Sequence, residues 1–448
     1  MSKSVTKDMT VGSPMRLIVS FFIPLLLGML FQQFYSMMDT IIVGRCLGVN
    51  ALAAVGSTGS VNFMIIGFCM GVCNGFAIPV AQRFGAKDQT GLRKFVANSV
   101  WLSIVFAVIM TIVTVLFCMP ILEIMRTPDD IFEDANTYIF IIFIGIPATY
   151  LYNLVSGIIR SLGDSRSPLF FLIVSSVLNI GLDFLFILTF HMGVAGAAWA
   201  TVISQAVSGI GCLFYMKHKF EILKIRPEEW KMDTKYMKIL CGMGIPMGLQ
   251  YSITAIGSVI LQTAVNTLGS SAVAAITAGS KVSMFFCCPY DAMGSTMATY
   301  AGQNVGAGKL DRVKKGMLSC CLLGLIYAVL AFVFLFFFGR YTALLFMEAS
   351  EKAILGNVTT FLLINSAFFF PLSLVNIIRF TIQGMGYSIL AICAGICEMV
   401  ARSIVGFVFV PMWGFVAACF ASPVAWICAD IFLIPAFFYC LRRLKKVY

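Results

Sequence analysis

The chain consists of apolar runs of twenty or more residues separated by short segments with charges or Gly/Pro. That spacing leaves few folds open. A hydrocarbon layer takes about 20 helical residues to cross, and within it only helices or closed barrels satisfy every backbone group. The runs predict twelve helical spans, at about 15–43, 51–82, 95–119, 136–159, 168–190, 194–216, 239–267, 272–303, 316–338, 356–382, 388–410 and 414–440. Several exceed the minimum, which predicts tilt or extension into water. Of the 448 residues 60% are apolar and 11% charged, against about 45–50% and about 25% in a soluble domain. Water-soluble enzymes, nucleic-acid binders and disordered chains are excluded. The N-terminus lacks the short apolar core and small-residue cleavage site of a signal peptide, so the first span is expected to be retained.

Loop charge predicts the orientation. Lys3 and Lys7 precede the first span and Arg16 stands at its start, and Arg83, Lys87, Arg93 and Lys94 follow the second. Residues 217–238, the loop after span eight (Lys309, Arg312, Lys314, Lys315) and the tail (Arg442, Arg443, Lys445, Lys446) carry most of the rest, with Arg160 and Arg166 on the same side. Arg45, Arg126, Arg340 and Lys352 fall on the other side, with the acidic loop of Glu123, Asp129, Asp130, Glu133 and Asp134. By the positive-inside rule both termini are expected in the cytoplasm. The fifteen Cys lie mostly inside apolar runs, where Cys behaves as a small hydrophobe. His191 and His218 stand alone, so no structural metal site is expected.

The sequence also repeats itself. Laying residues 44–94 on 265–315 pairs Leu47-Gly48 with Leu268-Gly269, Ala53-Ala54 with Ala274-Ala275, Gln82 with Gln303, and Gly85-Ala86 with Gly306-Ala307. Further landmarks are Pro24 with Pro246, Pro147 with Pro371, Gly163 with Gly386 and Gly193 with Gly414. Six spans per half keep both halves in one orientation, about an axis along the membrane normal. The expected fold is an all-α integral membrane protein: two six-helix lobes, 1–216 and 239–448, joined by a cytoplasmic linker at 217–238, around a central cleft.

Ionisable residues inside spans cost roughly 2.5–3.5 kcal/mol each on insertion scales. The spans hold Asp39, Asp183, Lys281, Asp291, Arg379, Glu398, Arg402 and Asp430. Asp39 follows Tyr35 on the first span, and Asp183 follows Asn179 on the fifth, each at i, i+4 on one helix face. No basic residue in the first six spans neutralises them. Two such acids among amide and hydroxyl groups suit a proton or a hard cation such as Na⁺, and they would titrate as a pair if close. In the second half Glu398 and Arg402 stand at i, i+4 and can pair, which favours an internal ion-pair network there. Asp291, Glu398 and Asp430 are the candidates there for meeting cationic cargo. Span prolines 24, 79, 147, 246, 289, 371, 423 and 435 mark candidate kinks. Of the 25 Met, Met29, Met37, Met38, Met243 and Met247 lie on the two repeat-related first helices and are candidates for an adaptable pocket.

Together these features resemble the multidrug and toxic compound extrusion (MATE) family, over essentially the whole chain. The resemblance rests on twelve spans as two repeats, a Pro in the first helix of each, Gln82-x-x-Gly-Ala and Gln303-x-x-Gly-Ala, and the first-half set Tyr35, Asp39, Asn179, Asp183, Ala197 and Thr201. It is closest to the bacterial DinF-like branch. It implies that the first-half set binds H⁺ or Na⁺, with Asp39, Asn179, Asp183 and Thr201 supplying oxygens if the ion is Na⁺. It places Asn153 at a polar cavity position. It further implies a monomeric, cofactor-free antiporter of the plasma (inner) membrane, exporting small organic, often cationic amphipathic compounds. The NorM-like branch has a Glu on helix seven and an Asp on helix ten. Here helix seven has no carboxylate and helix ten only Arg379, which puts that second cation site in doubt. A lipid-linked intermediate flippase of the same superfamily is the alternative, for which Lys281, Arg379 and Arg402 would be cavity cations. A major-facilitator transporter fits less well, because its Gly-x-x-x-Asp-Arg-x-Gly loop is only faintly echoed by Gly85-Ala-Lys-Asp88-Gln.

Overall fold

The computed structural model describes residues 6–344 and 352–447; Lys3 lies outside them. Ten helices are individually long and apolar enough to span: Pro14–Leu47, Gly59–Gly85, Gln89–Leu116, Arg166–Thr189, Val194–Lys219, Thr234–Asn266, Ser270–Gly306, Leu310–Thr342, Ser388–Trp413 and Phe415–Leu444. Two more spans are bent pairs, Asp129–Ile144 with Ile146–Ser161 at 45° and Ile354–Ala367 with Phe369–Gly384 at 50°. Counted in chain order these are the twelve expected spans, the fourth and tenth being the bent ones. No strand occurs among the described residues.

The two bends have a shared cause. Pro147 and Pro371 lack the N–H that would reach back one turn, to Phe143 and Ala367, and their rings crowd those carbonyls. The helices break at Gly145 and Phe368. Pro24, Pro79, Pro246, Pro289, Pro423 and Pro435 instead lie inside continuous helices.

The repeat is visible in the backbone. Gly48 and Gly269 share φ near 90° (91° and 93°), Gly163 and Gly386 have 87° and 96°, and Gly193 and Gly414 have 60° and 62°. Lys87, at φ 58°, occupies the place that Gly308 fills at 70°. The lipid-facing pattern repeats too. Ile104, Val105, Val108, Ile109 and Ile112 are exposed on the third span, as are Leu325, Ile326, Val329, Leu330 and Val333 in the same register on the ninth. Rows of exposed branched side chains on such apolar helices need a hydrocarbon solvent, and the chain is a multi-pass membrane protein.

The described residues sort into two packing units, one within 6–8 and 23–248, the other within 9–22, 249–344 and 352–447. These boundaries fall inside the first and seventh spans. In the first unit, Cys69, Val72, Cys73, Phe76 and Val80 of the second span are buried with Phe95 and Val96 of the third and Tyr150, Leu154 and Ile158 of the fourth. The first half of the seventh span belongs to this unit and crosses the second at glycines. A Cβ on Gly75 would lie 2.5 Å from Gly244 Cα, and one on Gly71 2.6 Å from the Met247 carbonyl oxygen. Paired Gly-x-x-x-Gly faces of this kind let two membrane helices approach backbone to backbone. The linker's short 3₁₀ turn Pro227–Trp230 docks on the same unit: Trp101 Nε1 donates to Trp230 O at 3.0 Å, and the Asp233 amide to Asn98 Oδ1 at 2.9 Å. In the second unit the repeated Gln motif has a similar task. Gln303 Oε1 accepts the Met9 amide at 2.9 Å, and Lys309 Nζ donates to Thr10 O at 2.9 Å.

Candidate ion-coupling site in the first unit

Three helix faces build the site, each from an i, i+4 pair. The first span contributes Tyr35 and Asp39, the fifth Asn179 and Asp183, and the sixth Ala197, Thr201 and Gln205. Asp183 and Ala197 are fully buried, Asn179 is 1% exposed, and Asp39, Tyr35 and Thr201 are half-buried. The Asp39 and Asp183 carboxyls come within hydrogen-bonding reach of each other. Asn179 Nδ2 donates to Thr201 Oγ1 at 3.4 Å, and that hydroxyl donates to Ala197 O at 3.2 Å. All six residues singled out in the sequence therefore belong to one structural neighbourhood.

The defining feature is a surplus of acceptors. Asp39 Oδ1, both Asp183 oxygens and Asn179 Oδ1 are buried with no hydrogen-bond partner among the described residues. An ionised carboxylate only accepts, so two facing carboxylates cannot satisfy each other. A single proton between them supplies the missing donor. Na⁺ would meet the same need through hard oxygens, drawn from Asp39, Asp183, Asn179 and Thr201. The donor set fits either ion.

Three participants escaped the sequence reading. Tyr138, on the fourth span, lies beside Asp39, Tyr35 and Asp183. Gln205 takes the Thr149 hydroxyl on Oε1 at 2.9 Å and bonds to the Tyr35 side chain. Gln205 was findable, standing one turn beyond Thr201 on the same face. Tyr138 and Thr149 carry no such signal, because only the bend of the fourth span brings both its halves to the site. Asn153 Nδ2 donates to Thr149 O at 2.8 Å, one turn from the cluster. Directly after Asp183 the fifth span widens into a π-helical stretch, Phe184–Thr189. The eleventh does the same at Val405–Phe409, after Arg402. Such widenings gather at functional positions.

The other candidates lie elsewhere. Met37 and Met38 are half-buried on the first span, while Met247 is buried at the glycine crossing. Lys281 is exposed. In the second unit Glu398 holds both Arg379, whose Nη2 donates to its Oε1, and Arg402, whose Nη2 is 3.5 Å from Oε2. Asp291 is exposed and accepts from Asn376 Nδ2 at 3.2 Å.

A duplicated twelve-span membrane protein with a carboxyl pair buried in one unit is the class these observations define. The sequence profile of the MatE family matches residues 24–185 and again 246–408, and the chain belongs to that family. The two matches coincide with the two repeats. The chain is 30% identical over 377 residues to the probable multidrug resistance protein YpnP of Bacillus subtilis (strain 168), covering 83% of this chain and 82% of that protein. To the probable multidrug resistance protein YoeA of the same organism it is 29% identical over 354 residues, covering 78% and 76%. A crystal structure of MATE in complex with MaL6 shares the fold along the full length of both chains, with a TM-score of 0.93 at 24% identity.

Proposed function

We propose that the chain is a cation-coupled antiporter of the plasma (inner) membrane, with both termini cytoplasmic, and that it exports small organic compounds, many cationic and amphipathic, by alternating access. The names of its Bacillus relatives support multidrug export as the activity. The facing carboxyls of Asp39 and Asp183, with their unpartnered buried oxygens, carry the coupling part of the reading. An ion from outside loads the pair and holds the first and fifth spans together. Its loss leaves two adjacent negative charges that repel across a poorly solvated gap and favour a different arrangement. Cargo and ion then act on one equilibrium, each favouring the conformation it binds better. Asn179 and Thr201 set the carboxyl face in place, and no cofactor or partner chain is required. Of the three cations that a lipid-linked flippase would offer a pyrophosphate, Glu398 already holds Arg379 and Arg402, which leaves only Lys281 exposed.

Purified protein in liposomes loaded with a fluorescent organic cation tests this. Flux is followed under a pH gradient and then a Na⁺ gradient, for the native chain and for Asp39→Asn and Asp183→Asn. We expect gradient-driven flux to fall about 5- to 150-fold in both variants, the usual span of a lost coupling. The gradient that drives the native chain names the ion. Unchanged flux in both correctly assembled variants overturns the site.

A further inference from the structure

We infer that Asp430 is a separate proton-binding group, in the second unit, and that Arg379 answers its charge by exchanging partners between Glu398 and Asp430. This goes beyond the coupling site just described and does not rest on it.

Asp430 lies midway along the twelfth span, 7% exposed, and its Oδ1 has no hydrogen-bond partner among the described residues. Its electrostatic neighbours on the packed spans are Arg379 of the tenth and Cys321 of the ninth. The eleventh contributes Glu398 and Arg402, the seventh Tyr251 and the eighth Asp291, the last two lying near Arg379. Arg379 is equally buried. One of its terminal nitrogens serves Glu398 while its Nε has no partner. An unused donor and an unused acceptor thus stand on two neighbouring side chains of opposite formal charge, and no ion pair joins them among the described residues.

The charge count decides which group can move. Glu398 is shared by two guanidiniums, and Arg402 stands one turn away on its own helix, so that pair persists whatever Arg379 does. Arg379 is the guanidinium free to leave. With a proton on Asp430 the carboxyl is neutral, and Arg379 has no reason to leave Glu398, as in this structure. Without the proton, Asp430 is an unpaired charge at membrane depth, which is strongly unfavourable unless a cation reaches it. Arg379 supplies that cation through its unused Nε. Gln383, one turn from Arg379 on the tenth span, donates to Gln250 Oε1 of the seventh at 2.5 Å.

The test is infrared difference spectroscopy on the native full chain reconstituted in lipid, stepping the pH and reading the carbonyl stretch of protonated carboxyls. We expect a pH-dependent band that Asp430→Asn removes and that persists in Asp39→Asn and Asp183→Asn. Asp430→Glu should displace that band instead of deleting it, which keeps the test decisive if the amide variant fails to assemble. Arg379→Gln should alter the band's pH dependence while leaving the bands of Asp39 and Asp183 in place. If every pH-dependent carboxyl band survives Asp430→Asn, or the one removed does not respond to Arg379→Gln, the inference is wrong. If no pH-dependent carboxyl band is lost in Asp39→Asn or Asp183→Asn while the Asp430 band behaves as expected, the result counts against proton binding at the first-unit site and not against this inference.

Discussion

Arg93 at the start of the third span holds Glu229 of the linker through both carboxylate oxygens, its Nε lying 2.8 Å from Oε2 and 3.0 Å from Oε1. Glu229 Oε2 also accepts the Arg226 amide at 2.8 Å, closing the short turn on itself. The hydrogen bonds from Arg93 hold the Glu229 carboxyl below the usual carboxylate range. Its charged form therefore belongs to the folded state. The stabilisation is fully present above the ordinary Glu value of about 4.3 and is lost as pH falls through the lower folded value. The side chains are covered but close to the protein surface, so screening reduces the effect. Glu229→Gln should lower stability by about 1–2 kcal/mol at neutral pH. Melting curves in detergent, taken downward from neutral pH, should converge for native and variant in acid; parallel curves at every pH would refute this role.

The glycine crossing makes a steric prediction. A methyl group on Gly75 has nowhere to go, since both atoms nearest it are backbone of the seventh span. Gly75→Ala should destabilise the protein by about 1–3 kcal/mol, the usual range for overpacking. Gly242, on the same helix, has nothing within 4 Å of a built Cβ, so Gly242→Ala should be neutral or slightly stabilising. Detergent-extracted yield and melting temperature of the two variants distinguish a crossing built on these glycines from one that tolerates side chains.

The spans were legible because hydrocarbon imposes one rule on every helix, and the repeat partly because three positive-φ positions keep glycine in both halves, Gly48 and Gly269, Gly163 and Gly386, and Gly193 and Gly414. The acidic pair stood out because a charge at membrane depth needs a reason. Less was readable where tertiary geometry decides. Nothing local distinguishes Pro147, which breaks its helix, from Pro246, which does not, because neighbouring helices settle the outcome. Tyr138 lies beside the carboxyls on one side of that break, and Thr149 bonds Gln205 on the other. In the second unit, sequence spacing correctly paired Glu398 with Arg402. It could not show that Arg379 shares the same carboxylate, since that contact crosses from one span to another.

Gly163 and Gly193 both have positive φ, 87° and 60°, but differ in surroundings, and the comparison separates strain from crowding. Both have φ in the region that favours glycine, where a Cβ costs about 1–3 kcal/mol. A Cβ on Gly163 would also lie 2.0 Å from the Lys7 carbonyl oxygen, whereas Gly193 has nothing within 4 Å. Lys7 is tied there by its amide, which donates to Leu162 O at 3.1 Å. Gly193→Ala should cost only the strain. Gly163→Ala should cost more and also unseat residue 7, seen as faster proteolysis of the N-terminal segment in the folded protein.

Gln205 offers the sharpest test of how the first-unit site is held. It is an uncharged residue that binds no ion in the proposed mechanism, yet it links Thr149 of the fourth span to Tyr35 of the first. Gln205→Leu keeps the volume roughly constant and removes both bonds. If the carboxyl face depends on this bridge, gradient-driven flux should fall by about 5- to 10-fold, at the lower end of a lost coupling. Melting temperature should change little, since the residue is half-buried and the adjoining helices keep their packing. Asp39→Asn combined with Gln205→Leu should be no worse than Asp39→Asn alone, because both act through one site. Additive losses in that double variant would show that Gln205 works on cargo or on another step, and would remove it from the coupling site.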